Sequence, residues 1–190
     1  MARIRTFIAV DLEDEETIAR IVQIQREIKA TGNGVKTVEP ENLHVTLKFL
    51  GSIDEALIPE IERVLSNPEV PAFEARLVGI GAFPNPVRPR VIWIGFDEGR
   101  EELAELMRWT DTKLRTLGFP KESREPEPHL TIARVKRLRN RESLRKLFTA
   151  LVSAEVGVMQ VSEIRVKKSI LRPEGPVYET LASIPLPKRE

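Results

Sequence analysis

Histidine occurs twice in this chain, and each copy opens the same alternating tetrad: His44-Val45-Thr46-Leu47 and His129-Leu130-Thr131-Ile132. Successive side chains of a β-strand point to opposite faces. The imidazole and threonine hydroxyl of each tetrad therefore share one face, and the two aliphatic residues share the other. Each tetrad predicts a strand with a polar front and a core behind it. The surroundings repeat as well. Ile8 stands 36 residues before His44 and Ile92 stands 37 before His129, and a helical segment begins about ten residues after each histidine. Both histidines are approached through proline, in Pro40-Glu41-Asn42-Leu43 and Glu125-Pro126-Glu127-Pro128. A strand–helix–motif strand–helix–strand unit is therefore expected twice, at about 1–82 and 90–185, within one domain. The Pro-rich stretch 83–89 connects the copies.

Periodicity places the elements. Strands are predicted at 4–10, 43–50, 72–80, 90–96 and 129–135, with two more near 160–171 and 177–184. A helix at 15–30 carries Ile18, Ile21, Ile24 or Val22, and Ile28 on one stripe and stops at Gly32. A second runs from 57 to 66, where Pro59 fits only the first turn. A third, at 100–117, aligns Leu103, Leu106, Met107, Leu114 and Leu117. A fourth is capped by Asn140 and reaches about 152.

Composition narrows the function classes. No apolar run approaches the ~18 residues of a membrane span. Arg3, Arg5 and Asp11 interrupt the N-terminal apolar stretch, so no signal peptide is expected. The chain lacks cysteine, which removes disulfides and thiolate metal sites. A cytoplasmic location follows as the default. Scarce glutamine and abundant Lys, Arg and Glu give a thermophile-like balance. A net charge of +1 argues against coating long nucleic acid by bulk attraction. One local run departs from that balance. Residues 134–146 hold seven basic side chains against Glu142 alone, a net of +6. It reads either as a solvated helix face with its approach loop or as a patch for the end of a polyanion.

Histidine exchanges protons near neutral pH. A lone His-x-Thr on a strand is ordinarily structural. Two copies at equivalent points of a repeat, using every histidine present, point instead to an acid and a base. If the halves pack about a pseudo-twofold axis, two imidazoles and two hydroxyls meet across a cleft. That set suits in-line displacement at phosphorus without a metal. A catalytic zinc would need a third ligand from Asp or Glu, and none marks itself. No phosphate-binding glycine loop is present.

With Arg5-Thr6-Phe7-Ile8-Ala9-Val10, the flanks Asn42–Gly51 and Pro128–Arg134, Pro89-Arg90-Val91-Ile92-Trp93 and Gly175-Pro176-Val177-Tyr178, the chain resembles the two-histidine phosphoesterases. Within them it resembles the archaeal and bacterial RNA 2′,3′-cyclic phosphodiesterases, also called 2′-5′ RNA ligases. The resemblance covers nearly the whole chain. It implies an α/β (α+β) fold of two pseudo-symmetric lobes, each a mainly antiparallel sheet flanked by helices, with the motifs facing across a central cleft. It implies hydrolysis of a terminal RNA 2′,3′-cyclic phosphate to a 2′-phosphate, with no cofactor and no metal. The implied partners are RNA with a cyclic phosphate end or a 2′-5′ linkage, and nucleotides. No protein partner is inferred and a monomer is expected.

By analogy His44 is the proton donor to the leaving 3′ oxygen and His129 the proton acceptor from water, although pseudo-symmetry makes a swap physically easy. Thr46 and Thr131 would bind the free phosphate oxygens. Arg134 would sit near the base or the phosphate, but strand parity puts it behind His129 unless a bulge or the strand's end lets it reach in. Phe7 is a stacking candidate. Phe49 is read as core. Lys48 has the parity to share the face of His44 and raise the local potential. Two other readings stay open: ligation of RNA halves through a 2′-5′ bond, and recognition of RNA ends without turnover. The blandest alternative is a structural strand repeat with packed histidines.

Overall fold

Strand β1 (Arg3–Asp11) buries Ile4, Ile8 and Val10 in the main core and turns Phe7, Ala9 and Asp11 to the opposite face. The structure is a computed structural model and describes residues 2–190. Helix α1 (Glu15–Ala30) follows. Its N-cap Asp14 accepts from the Thr17 N–H, and Gly32, at φ +80°, stands just past its end. Then come β2 (Gly34–Thr37), β3 (His44–Asp54), α2 (Ile58–Leu65), with Pro59 in its first turn, and β4 (Phe73–Phe83). The second half contributes β5 (Val91–Phe96), α3 (Arg100–Arg115), β6 (Leu130–Arg137), α4 (Arg141–Leu151), β7 (Glu155–Val161), β8 (Glu163–Arg172) and β9 (Gly175–Pro185). Asn140 caps α4 as the sequence predicts, accepting from the Ser143 N–H at 3.1 Å.

The strands form two sheets, ordered β3-β1-β8-β9 and β2-β6-β5-β4-β7, with antiparallel pairing throughout. From the motif strand inward the two orders correspond: motif strand, first strand of the same half, then a late strand of the other half. The halves therefore exchange strands. β4 of the first half lies between β5 and β7, and β8 of the second half lies between β1 and β9. The helices cross over too. α1 packs on β7, β2 and β6, while α3 packs on β3. A lobe is thus not one of the stretches 1–82 and 90–185 taken alone. Each sheet is completed, and each core closed, by the other half.

Two strands differ from the sequence reading. β2 is a four-residue edge strand with no apolar alternation, held by its pairing with β6. The strand predicted at 160–171 is two strands in different sheets, broken at Ser162. A single polar residue makes that change, and its carbonyl accepts from the Leu186 N–H at 2.9 Å.

The motif strands carry matched irregularities. Opposite β1, Leu47 and Leu50 of β3 have no partner; opposite β5, Ile132 of β6 has none. Leu47 and Ile132 each lie three residues after their histidine. These bulges reverse the side-chain alternation beyond the tetrads.

Candidate active site

Within the tetrads the alternation is as the sequence predicts. Val45 and Leu47, and Leu130 and Ile132, are buried in the core, while His44, Thr46, His129 and Thr131 are half-buried on the other face. Both histidines and both threonines line one cleft of about 2100 Å³. Its size exceeds the roughly 300–1,000 Å³ of a small-ligand pocket.

The imidazoles are held in the same way. The His44 Nδ1 lies 2.6 Å from the carbonyl of Asn42, and the His129 Nδ1 lies 2.6 Å from the carbonyl of Glu127. A carbonyl only accepts, so Nδ1 carries the hydrogen in each ring and Nε2 is left for the cleft. The proline approaches set those carbonyls. Pro40 opens a 3-10 turn through Asn42, and Pro128 confines Glu127 to extended backbone. The His44 Nε2 lies 3.1 Å from the Thr46 hydroxyl, which donates to it when the ring is neutral.

Aromatic rings brace both imidazoles. Phe7 and Tyr178 lie 5.1 and 5.3 Å from His44 between ring centroids, and Phe83 lies edge-on 4.9 Å from His129, with Trp93 at 6.2 Å. The indole of Trp93 needs the bare backbone of Gly81, where a Cβ would come within 2.3 Å of its ring. Burial pushes the His44 imidazole below its ordinary value. The Asn42 carbonyl and the Asp11 carboxylate pull it up; the Lys167 ammonium and His129 push it down. Asp11 lies directly opposite His44 across β1 and β3, and it accepts from Lys167 at 2.8 Å and Arg165 at 2.6 Å. Burial raises the Asp11 carboxyl, but those two cations outweigh it and hold it below the usual carboxylate range.

The bulges decide the remaining placements. Slippage at Ile132 puts Arg134 opposite Val91 of β5 and Lys36 of β2, so its side chain reaches the cleft face. Slippage at Leu47 has the reverse effect on Lys48, which pairs with Ile8 on the core side and does not share the face of His44. Its ammonium is buried and donates to Asp111 at 2.8 Å, Glu122 at 3.0 Å and the Pro120 carbonyl at 3.0 Å. Its potential is spent on that cluster rather than on a ligand. Phe49 is the second correction: it is 73% exposed, pairs with Phe7 on the cleft face and is not core. Phe7 itself is buried beneath His44, Phe49 and Tyr178. Asn42, Tyr178, Phe83, Trp93 and the Asp11–Lys167 pair join the site without having been singled out for it. Asn42, Trp93 and Tyr178 lie in segments that carry the family resemblance, but the places of Trp93 and Tyr178 around the imidazoles come from strands distant in sequence.

The LigT-like phosphoesterase family model matches the chain twice, over residues 10–93 and 94–178. The chain belongs to the LigT-like phosphoesterase family. Two archaeal relatives carry the name RNA 2′,3′-cyclic phosphodiesterase. The one from Aeropyrum pernix is 41% identical over 88% of this chain and 95% of its own length. The one from Methanothermobacter thermautotrophicus is 43% identical over 93% and 95%. A crystal structure from Thermus thermophilus superposes with a TM-score of 0.81 at 30% identity, covering 98% of this chain and all of the other. Escherichia coli LigT in apo form shares the fold, at a TM-score of 0.77 and 20% identity over 99% of this chain. In this family member, two antiparallel sheets flanked by helices enclose the cleft between them.

Proposed function

We propose that the chain hydrolyses the terminal 2′,3′-cyclic phosphate of RNA to a 2′-phosphomonoester and a free 3′-hydroxyl. One observation carries the reading: two imidazoles, each fixed through Nδ1 to a backbone carbonyl two residues earlier, offer Nε2 to the same cleft. His129 Nε2 takes a proton from water. The oxygen of that water attacks phosphorus, and the bond from phosphorus to O3′ breaks. His44 Nε2–H gives its proton to O3′. Thr46 and Thr131 donate to the non-bridging oxygens, and Arg134 offsets their charge. Each proton transfer contributes roughly 10²–10⁴-fold. The bound phosphate anion favours a protonated His44, which burial alone disfavours.

The names of the relatives support the substrate class. The same groups run 2′-5′ joining when an RNA 5′-hydroxyl replaces water, and product analysis on split RNA separates the two outcomes. The scheme assigns no step to a metal, and the protein acts as a monomer. Among the described residues no helix is long and apolar enough to cross a membrane.

The test is turnover of a nucleoside 2′,3′-cyclic phosphate in excess chelator. The wild type releases the 2′-phosphate, and His44→Ala and His129→Ala each lose at least 10²-fold in kcat with unchanged thermal unfolding. Full activity in either variant removes that histidine from the mechanism. Activity lost to the chelator and restored by a divalent ion overturns the metal-free scheme.

A further inference from the structure

The hydrolysis scheme uses only Arg134 from the basic run at 134–146, and the fold gives the rest of that run a direction. Arg134 lies on the cleft face directly opposite Lys36 of edge strand β2. Like charges opposed across two strands destabilise a sheet. Among the described residues neither cation has a carboxylate within ion-pairing distance. The Lys36 ammonium donates instead to the Glu174 carbonyl at 2.9 Å.

Further out, the register slips again, so that Arg137 pairs with Gly34 and Lys136 is the extra residue. Gly34 and Lys36 share a face of β2, which brings Arg137 to the side of Arg134. A Cβ on Gly34 would stand 2.9 Å from the Arg137 Cβ, so the glycine leaves Arg137 room to lie across the edge. The chain then turns through Arg139 to Arg141 at the start of α4. That turn is pinned. Buried Asn33 accepts from the N–H groups of Arg139 at 2.7 Å and Asn140 at 2.8 Å, and it donates to the Asn140 carbonyl at 3.0 Å. Glu142, the one acid of the run, is engaged by Arg145 at 2.6 Å. A run of exposed cations on a pinned backbone therefore begins at the cleft with Arg134 and leads away from it. Arg134 and Arg137 stand about 7 Å apart along the strand, the length of the two steps from Lys36 to Gly34 that face them.

We propose that this row holds the sugar–phosphate backbone of the single RNA strand that ends in the cyclic phosphate. The inference rests on the hydrolysis reading. A 2′,3′-cyclic phosphate occupies a 3′ end, so every other nucleotide leaves the cleft on its 5′ side and needs an outlet. A net charge of +1 gives the whole molecule little attraction for RNA, and a local row supplies it where the strand emerges. The substrate class is thus an oligonucleotide with several phosphates 5′ of the end, preferred over a mononucleotide.

The experiment compares kcat/KM for a single-stranded RNA ten-mer ending in a cyclic phosphate with kcat/KM for a cyclic mononucleotide. The triple variant Arg137→Gln, Arg139→Gln, Arg141→Gln lowers the ratio at least tenfold. It also flattens the salt dependence for the ten-mer by about 2 in log–log slope, at about 0.7 for each phosphate no longer neutralised. A control removes the same charge at Arg100, Lys188 and Arg189, none of which lines the cleft, and keeps the ratio within twofold of wild type. An unchanged ratio in the triple variant, or an equal fall in the control, overturns the proposal. If the wild type turns over neither substrate, the hydrolysis reading fails and the row is judged by binding. Anisotropy of a labelled ten-mer with a 3′-phosphate must then weaken tenfold in the triple variant and not in the control, and equal affinities refute it.

Discussion

At the scale of residues, the asymmetry between the two matched histidines lies behind His44. Burial depresses its pKa, and Asp11 opposes that effect while Lys167 and His129 reinforce it. Asp11→Asn removes the opposing charge and leaves Lys167 without its carboxylate partner, so the free-enzyme pKa of His44 falls further. A proton donor must be protonated to act. With His44 in that role, the alkaline limb of the kcat/KM profile moves to lower pH in the variant. If His44 were the base, the acid limb would move instead, so the profile also assigns the roles. The limbs belong to the coupled pair, and the comparison of variant with wild type carries the assignment. The tetrads themselves were legible in the sequence because alternation is a property of any strand. The contacts of Tyr178, Trp93 and Asp11 with the imidazoles were not, since nothing near them in sequence marks a neighbour on another strand.

At the scale of elements, the bulges explain why parity holds for four residues and then fails. A bulge is set by pairing with the partner strand, β1 for one motif and β5 for the other, so the motif strand alone does not reveal it. The same slip that presents Arg134 and Phe49 to the cleft sends Lys48 inward. Its ammonium ties the motif strand to Asp111 of α3 and to the 118–128 segment that leads to His129. Lys48→Met strips a buried carboxylate of its main partner and leaves it Arg115 and the Glu122 N–H, and we expect a loss of about 1–3 kcal/mol at neutral pH. Burial raises the Asp111 carboxyl, but the Lys48 hydrogen bond and charge, with help from the Glu122 N–H and Arg115, hold it below 3.8. A carboxyl lowered on folding stabilises above its unfolded value, and that contribution fades as pH falls through the folded value. Urea unfolding should therefore show a large gap between wild type and variant at pH 7 that narrows below about pH 4. A gap independent of pH would assign the loss to packing rather than to charge.

At the scale of the molecule, strand exchange makes the two repeats one cooperative unit. Separated fragments 1–86 and 87–190 each leave a sheet without an interior strand and a helix without its own sheet to cover. Neither fragment alone should give a cooperative thermal transition. Mixed, they should recover the near-ultraviolet signal of Trp93 and Trp109 together with activity. Independent folding of either fragment would contradict the interlocked core. The thermophile-like composition adds an expected melting temperature above the ~45–65 °C of mesophile domains, read by calorimetry on the intact chain.

Local alternation, helix caps and proline approaches were within reach of sequence alone, because each depends on residues a few positions apart. Those features determined the two motif strands, the four helices and the pairing of each imidazole with a hydroxyl. Tertiary structure decided which half completes which sheet, where the register slips, and hence that Arg134 shares the face of His129 while Lys48 turns off the face of His44. Such choices rest on hydrogen bonds and packing between strands up to about 160 positions apart, and no local pattern carries the energy that selects them.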